Sequence, residues 1–405
     1  MMLPFRNLFR HRRRALMAFF AVTFGVVALL LAGGFIEWVY WATREGAIDE
    51  RLGHIQITRP GYFERGFAEP FAFVMTENAP VVDAVRHLPE VEVVTPRLAF
   101  TGLISHGEHT ISFLGEGVVP ETEARVSQGL TMLHGEGLTS AREEDAILGE
   151  GLAGNLGADI GDRVVLMSTK PNGGINAIEV TVRGVFQTSS KSFDDYALRA
   201  PLALAQRLVN VSGVHSWVVL LKETEQTDAV LRRLQARFAD NGAVPVEFTP
   251  WYELADFYNK TVALLSRQMN VLRGMIAIIV VLSVSNTMIA NVFERTGEIG
   301  TLLALGCRRR RIVDLFLREG LLLGILGGVA GLVVGWALAK IISAIGIPMP
   351  PSPGMSVGFD AQILVTPLLA AGSVLLIIVT SVAASLYPAW RASRLVIVDA
   401  LRHNR

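Results

Sequence analysis

Few side chains in this 405-residue sequence are spaced as catalysis or ligand binding requires. Gly149, Gly151 and Gly154 in "GEGLAG" satisfy the G-x-G-x-x-G pattern of dinucleotide-binding proteins. Such a site also needs a full strand, helix and strand crossover with an acidic residue about 20 positions later. Here the turn "GADIGD" leads directly into a predicted hairpin. We therefore predict that these glycines form a turn and a short helix rather than a nucleotide site.

Other motifs for catalysis or metal binding are weak. "HGEH" places His106, Glu108 and His109 together, residue types that ligate zinc, but no histidine or cysteine cluster lies nearby and an exposed loop is the better interpretation. The single cysteine, Cys307, excludes an intrachain disulfide. The sequence has no G-x-S-x-G motif, paired-carboxylate motif or G-x-x-x-x-G-K-[ST] phosphate loop. We therefore expect no catalytic residue, no metal and no directly bound cofactor.

The composition indicates a membrane protein. Hydrophobic residues make up 51% of the chain, charged residues make up 18%, and the mean hydropathy is +0.42. These values are too apolar for an ordinary soluble enzyme. The formal net charge is zero, so a general attraction to nucleic acid has no support.

Four apolar runs are long enough to cross a bilayer, which takes about 20 helical residues. The predicted transmembrane helices are 15–39, 264–292, 315–345 and 363–387. They leave a large domain at 40–263, loops at 293–314 and 346–362, and terminal segments at 1–14 and 388–405. No span is predicted to bury a carboxylate or histidine of the kind that marks proton relays. This pattern argues against an ion-coupled transporter.

The arginines orient these spans. They cluster in 1–14, in the 293–314 loop and in the C-terminal tail, and basic segments stay cytoplasmic. Both termini are therefore predicted inside and the large domain outside. A cleaved signal peptide ending near Gly34 is the alternative, disfavoured because its apolar run exceeds the usual length of about 7–15 residues. Segment 1–14 is predicted as a basic amphipathic helix at the interface, or else as a disordered tail. Arg310 is spaced to pair with Asp314.

Two glycine ladders in the third span predict close helix packing. Their small-xxx-small spacing lets backbones approach and gain dispersion contacts in lipid. One ladder is Gly320, Gly324 and Gly328, and the other is Gly327, Gly331 and Gly335. Hydroxyl side chains of the second span, such as Ser285 and Thr287, are predicted to join helices rather than to line a polar path.

The large domain is predicted to be α+β. "LGHIQITRPG", "APVVDAVRHLP" and "EVEVVTPRLAFTGLI" have the patterns of a strand, a helix and a strand. A second such unit follows at "VHSWVVLLK", "TDAVLRRLQARFADNG" and "AVPVEFTP". The two units are predicted to share one sheet, with a β-rich lobe inserted at roughly 105–185. The predicted fold class is an α-helical membrane protein with four spans and this domain between the first two.

The 293–314 loop is predicted to contain an amphipathic helix. In "ERTGEIGTLLALGCRRRR", Glu294 and Glu298 are four residues apart and are predicted on one helical face. Ile299, Leu302 and Leu303 supply apolar contacts. Such a helix can insert into a cleft on a partner protein. The alternative is a solvated helix that contacts only lipid headgroups.

These features together resemble a known family. The four-span order, the segment "NVFERTGEIGTLLALGCRRRRIVDLFLREGLLLGILGGVAGLVVG" and the tail "YPAWRASRLVIVDALRH" are similar to the FtsX-like permease domain of ABC transporters of the macrolide-exporter (MacB) and lipoprotein-releasing (LolC/LolE) type. In the large domain, "AILGEGLAGNLGADIGDRVVL" followed by "VRGVF" resembles that family's periplasmic core domain. The resemblance covers essentially the whole chain. The missing phosphate loop favours the split LolC/LolE arrangement over that of MacB, which carries its ATPase on the same polypeptide.

The resemblance implies a machine in which ATP hydrolysis inside the cell drives movement of the outer domain, without passage of substrate through the spans. ATP and Mg²⁺ are expected on a separate ATPase subunit. A second permease copy or homologue and a periplasmic lipoprotein carrier or adaptor are expected partners at the bacterial inner membrane. Matching the family's coupling helix residue by residue gives the predicted ATPase contacts: Glu294, Arg295, Glu298, Ile299, Gly300, Leu303 and Gly306.

The function that this resemblance favours is the extraction of lipoproteins or another hydrophobic envelope substrate from the inner membrane. Two alternatives stay open. One is MacB-like efflux of antibiotics or peptides with a periplasmic adaptor. The other is FtsX-like signalling to cell-wall hydrolases, although FtsX-type outer domains are much smaller.

Overall fold

The computed structural model describes residues 12–76, 80–188, 190–238, 245–350 and 358–396. Within them the chain forms two compact units. The helical unit comprises 12–41, 261–349 and 360–396, and the sheet domain comprises 42–260 with residues 350 and 358–359. Most of the predicted amphipathic segment at 1–14 and the tail beyond 396 lie outside the described residues.

The described helices and strands are numbered separately in chain order. The α-helices are α1 (Arg12–Ala47), α2 (Tyr62–Arg65), α3 (Pro80–Arg86), α4 (Pro120–Val126), α5 (Glu150–Leu156), α6 (Lys191–Asp194), α7 (Leu202–Val209), α8 (Thr227–Phe238), α9 (Trp251–Leu254), α10 (Asp256–Glu294), α11 (Thr296–Ala304), α12 (Arg309–Ile345) and α13 (Pro367–Ser393). The strands are β1 (Ile55–Thr58), β2 (Val91–His106), β3 (His109–Val118), β4 (Thr131–Gly135), β5 (Asp145–Gly149), β6 (Arg163–Thr169), β7 (Ile175–Gln187), β8 (Ala197–Pro201), β9 (Ser216–Leu221), β10 (Glu247–Pro250), β11 (Ile347–Met349) and β12 (Phe359–Ala361). A π-helical turn follows α1 at Ile48–Leu52, and 3₁₀ turns occur at Pro70–Phe73 and Thr224–Gln226.

Among the described residues, four helices are long and apolar enough to cross a membrane. They are α1, α10, α12 and α13, with 36, 39, 37 and 27 residues, and a bilayer requires only about 20. Fully buried side chains such as Val26, Val280 and Ile377 form the core of the helical unit. The predicted architecture of four spans, with the large domain after the first, is confirmed.

The polar side chains of α10 have two different roles. The Ser285 hydroxyl donates to the carbonyl oxygen of Ala384 at 2.8 Å, which joins α10 to α13. The Thr287 hydroxyl instead donates to the Ser283 carbonyl oxygen of its own helix at 2.9 Å. Only the first of these two hydroxyls therefore joins helices as the sequence predicts.

The two strand–helix–strand units of the sheet domain interleave. The strand order is β10-β1-β9-β2, and each neighbouring pair is antiparallel. α3 connects β1 to β2, and α8 connects β9 to β10. Because each unit places a strand between the two strands of the other, the units share one sheet, and that prediction is confirmed.

The β-rich lobe extends the same sheet. β2 pairs with β9 over its first half and with β3 and β6 over its second half. The lobe does not end near 185 as predicted, because β7 runs to Gln187 and β8 then pairs with β3 and β5. All five residues of β8 are buried, so the strand lacks the alternating pattern by which exposed strands are recognised.

The "GEGLAG" and "HGEH" motifs both lie in this lobe. Gly149 and Gly151 lie where β5 meets α5, and a Cβ atom at either would come within 2.9 Å of the Cα atoms of Asp194 and Asp195 respectively. The "HGEH" motif forms the turn between β2 and β3, and His106 and His109 are opposite each other in the antiparallel register of these strands. No three His, Cys, Asp or Glu side chains in the described residues lie together as a metal site would need.

Four buried charged residues connect the start of the sheet domain to its lobe. Arg97 donates to both carboxylate oxygens of Glu123, at 3.1 and 2.6 Å, and Arg199 donates to Glu116 at 3.1 Å. The same guanidiniums donate to the carbonyl oxygens of residues 51 and 50, respectively, in the π-helical turn. These carbonyls belong to the last helical turn, whose carbonyl groups lack intrahelical partners. The cluster therefore holds the π-helical turn within the sheet domain.

Lowering the pH should loosen this cluster. Burial alone would raise the pKa of Glu116, but the neighbouring guanidiniums, Arg199 foremost, lower it from the ordinary value of 4.5 to about 2. Because the unfolded chain binds the proton more readily, the stabilisation is complete above about pH 4.5 and declines as the pH falls toward 2. Hydrogen exchange of the β2 and β3 amides, corrected for intrinsic rates, should therefore accelerate over this range.

The Glu116→Gln variant should exchange faster at neutral pH, because it removes one of the two carboxylates that pair with the buried Arg199. It should also show a weaker acid dependence. Glu179→Gln is the control, since the Glu179 carboxylate pairs with Arg163 at an exposed position. An acid dependence in Glu116→Gln equal to that of the unmodified chain would contradict this assignment.

Candidate functional site

A break in the helix separates the two glutamates that are predicted to share a face. α10 ends at Glu294, Arg295 leaves helical geometry with φ −106° and ψ 13°, and α11 begins at Thr296. The Thr296 hydroxyl lies 3.0 Å from the Val292 carbonyl oxygen and 2.9 Å from that of Phe293. It thereby satisfies carbonyl groups at the end of α10. The prediction of one continuous helical face through Glu294 and Glu298 was wrong.

The other end of α11 is closed by Gly306. Its φ of +86° lies in the left-handed region that favours glycine. The N–H of Gly306 donates to the Leu303 carbonyl oxygen, and the N–H of Cys307 donates to that of Leu302, both at 3.0 Å. This pair of bonds is the Schellman arrangement, which ends a helix by satisfying its last carbonyls. Gly306, one of the two glycines in the predicted contact set, thus has a structural role as a helix cap.

The inward face of α11 holds most of the other predicted contact residues. Ile299 is 2% exposed, Gly300 is buried, and Leu303 packs on the core of the helical unit. Arg295 also points inward, because its Nη1 donates to Glu319 Oε1 of α12 at 2.9 Å. These residues fix the helix to its own chain.

The outward side carries Glu298 and Leu302 of α11 and Leu305, the residue that follows the helix. Their exposed fractions are 51%, 41% and 80%, in that order. Of these, only Glu298 is in the contact set predicted from the family match. Leucines occur on both faces of this short helix, so its periodicity alone did not distinguish the inward from the outward side. As contacts of an ATPase, all seven matched residues stay predictions.

Glu319 is the functional candidate that the sequence analysis missed. The residue is 3% exposed and lies in α12, next to Gly320. The expectation that no span buries a carboxylate was therefore wrong, although this carboxylate is paired with a guanidinium. The sequence feature that could have indicated Glu319 is a single acidic residue at the edge of the apolar run of the third span.

The predicted pair between Arg310 and Asp314 is replaced by another pair within the same helix. Asp314 pairs with Arg318 at 2.8 Å.

The first glycine ladder of α12 packs on α13. The side-chain neighbours of Gly320, Gly324 and Gly328 are Ser385, Ser381 and Val374, in that order. A Cβ atom at Gly324 would lie 3.1 Å from the Cα atom of Ile378. The backbones of α12 and α13 therefore approach closely along this ladder, as small-xxx-small spacing permits.

The second ladder packs on α1. The neighbours of Gly327, Gly331 and Gly335 are Val22, Val26 and Leu30, which are themselves four residues apart. The Thr23 hydroxyl donates to the Gly327 carbonyl oxygen at 3.3 Å across this contact. α12 thus contacts α13 and α1 through two separate ladders.

Comparison with known proteins assigns the chain to two family domains. Residues 15–237 match the model of the MacB-like periplasmic core domain, and residues 270–397 match the model of the FtsX-like permease C-terminal domain. The chain belongs to the MacB/LolCDE superfamily of ABC transporter permeases. The family resemblance noted in the sequence is confirmed. The four apolar helices and the family make this permease an inner-membrane protein.

Three relatives of the permease illustrate the range of the superfamily. The lipoprotein-releasing system transmembrane protein LolC of Xylella fastidiosa (strain 9a5c) is 26% identical over 82% of this chain and 84% of its own length. LolE of Haemophilus influenzae, a transmembrane protein of the same kind of system, is 25% identical over 62% of this chain and 61% of its own. The macrolide export ATP-binding/permease protein MacB of Hyphomonas neptunium is 27% identical over 98% of this chain, which spans 60% of its length.

Closing the space at the second ladder should destabilise the permease. The Cβ atom of a Gly331→Ala variant would lie 2.6 Å from Val26 Cβ and 2.7 Å from the Thr23 carbonyl oxygen. Because that oxygen belongs to the backbone, the helices must separate, and we expect a loss of about 1–3 kcal/mol of stability. Gly372→Ala in α13 is the matched control, since its Cβ would have no neighbour within 4 Å. Thermal unfolding in detergent should show a lower midpoint for Gly331→Ala alone, and equal midpoints would contradict the packing.

Proposed function

We propose that this permease couples ATP hydrolysis on a separate ATPase subunit to movement of its sheet domain, and so extracts lipoproteins or another hydrophobic envelope substrate from the inner membrane. The geometry of α11 carries the proposal. The helix is fixed at one end by Arg295 and at the other by the Gly306 cap. Its outward side presents the Glu298 carboxylate, Leu302 and the capping residue Leu305.

Such a face suits insertion into a cleft on a partner. Exposed leucines provide apolar area for burial, and a carboxylate at the rim can pair with a basic side chain and set orientation. A short helix that is already fixed loses little freedom when it docks. The partner we propose is the ATPase, which would hold ATP and Mg²⁺.

The arginine clusters support the orientation. Arg308 to Arg311 lie shortly after α11, at the start of α12, and basic segments beside spans stay cytoplasmic. We place α11 in the cytoplasm and the sheet domain in the periplasm on this basis. A second permease copy or homologue and a periplasmic lipoprotein carrier or adaptor complete the proposed assembly.

The relative LolC supports the substrate class, because the alignment covers more than four-fifths of both chains. Export of drugs or peptides is the second candidate, since the MacB relative matches 98% of this chain. Depletion of the permease separates the two. Retention of lipoproteins in the inner membrane supports the first, whereas normal sorting with greater drug susceptibility supports the second.

Leu305 provides the clearest test of the proposed docking face. Leu305→Asp should place a charge in the interface without affecting the permease core, because the side chain is 80% exposed. We expect the amount of ATPase subunit that co-purifies from native membranes to fall at least about tenfold. Ile175→Asp is the matched control, an exposed apolar residue of the sheet domain. Normal ATPase recovery with Leu305→Asp would exclude this face as the docking site.

A further inference from the structure

Arg295 lies between two carboxylates of the helical unit. Its Nη1 donates to Glu319 Oε1 at 2.9 Å, and its Nε donates to Glu298 Oε2 at 3.2 Å. The Arg295 side chain is only 15% exposed. Its guanidinium carbon is 5.9 Å from the centre of the Phe316 ring, and Phe316 is fully buried. The guanidinium is therefore oriented by two carboxylates and an aromatic ring.

These charged residues belong to different parts of the chain. Arg295 is the single residue between α10 and α11, Glu298 is in the first turn of α11, and Glu319 is in α12. Ile299 also attaches α11 to the core, but apolar contacts have no preferred direction. The ion pair adds a fixed distance and orientation between α11 and α12.

Stability alone does not explain a buried ion pair. The free-energy cost of removing two charges from water offsets most of their mutual attraction. Apolar residues of similar volume often stabilise a protein to the same extent as a buried ion pair. What the planar guanidinium adds is directional bonding to two acceptors. In α12 the acceptor Glu319 is followed at once by Gly320, which packs on α13.

We propose that Arg295 and Glu319 are positioning residues that fix α11 to α12, so that a displacement of α11 moves α12 and the helices packed on it. The proposal rests on the proposed function, because an ATPase acting on α11 supplies the displacement. Arg295 then acts inside the permease and not as a direct ATPase contact.

Spin-label distances test the positioning without any partner. One label is placed on the native Cys307 just after α11, and the other on a cysteine introduced at Val333, which is 61% exposed on α12. In full-length permease in lipid nanodiscs, we expect a narrow distance distribution for the unmodified background. Glu319→Leu removes the acceptor and should broaden the distribution at least about twofold. Arg295→Lys keeps the charge but not the two-sided fork, and should give an intermediate width.

Asp314→Asn is the matched control. It breaks the exposed pair with Arg318 on the same helix and should leave the distribution unchanged. A Glu319→Leu distribution as narrow as that of the unmodified permease overturns the proposal. If Glu319→Leu does not accumulate, the double variant Arg295→Met/Glu319→Leu takes its place, since it leaves no unpaired buried charge. Its distribution should also be broad, and a narrow one overturns the proposal equally.

A second measurement tests coupling in the complex with the co-purified ATPase. Glu319→Leu keeps the outward side chains that dock, so ATPase should still co-purify. Measured per bound ATPase subunit, the permease-dependent stimulation of ATP hydrolysis should fall about tenfold. Full stimulation in that variant would contradict a role in coupling. If the unmodified permease binds no ATPase at all, the proposed function fails, whereas the spin-label result still decides whether the pair positions α11.

Discussion

The hydrogen-bonded ion pair between Arg295 and Glu319 sets the orientation of α11. The pair holds Arg295, the residue between α10 and α11, against α12. With Arg295 in this position, Ile299 faces the core of the helical unit, and Leu302 and Leu305 are exposed. A nine-residue helix is too short to be stable alone in water. Its order therefore comes from this pair, from the inward isoleucine and from the glycine cap that ends it.

α12 is the element through which these contacts reach the other spans. Its Glu319 accepts from the Arg295 guanidinium, and the glycines that follow contact α13 on one face and α1 on another. Both contacts bring backbone atoms close together, and close-packed interfaces transmit a displacement instead of absorbing it. The two glycine ladders that hold the helices at short distances therefore make α12 the central element of the proposed coupling.

Features that follow from a regular spacing of residues could be predicted from the sequence. Features that depend on a single tertiary contact could not. Span number, glycine ladders and the shared sheet follow from hydrophobic length, small-residue spacing and strand patterns. The break at Arg295 does not, because "ERTGEIG" contains no proline and glycines such as its two are tolerated within a helix. The buried position of Glu319 depends on a partner 24 residues earlier, and β8 is buried throughout. Leucines on both faces of α11 left its outward side undetermined until Arg295 was placed.

Site-specific photocrosslinking within α11 tests the central claim most directly. A photoreactive residue is placed at Leu302 or at Ile299, and the covalent products formed in native membranes are identified by mass spectrometry. The orientation of α11 predicts that position 302 crosslinks to an ABC ATPase subunit, whereas position 299 crosslinks only within the permease. Crosslinks to the ATPase from position 299 and none from position 302 would contradict it.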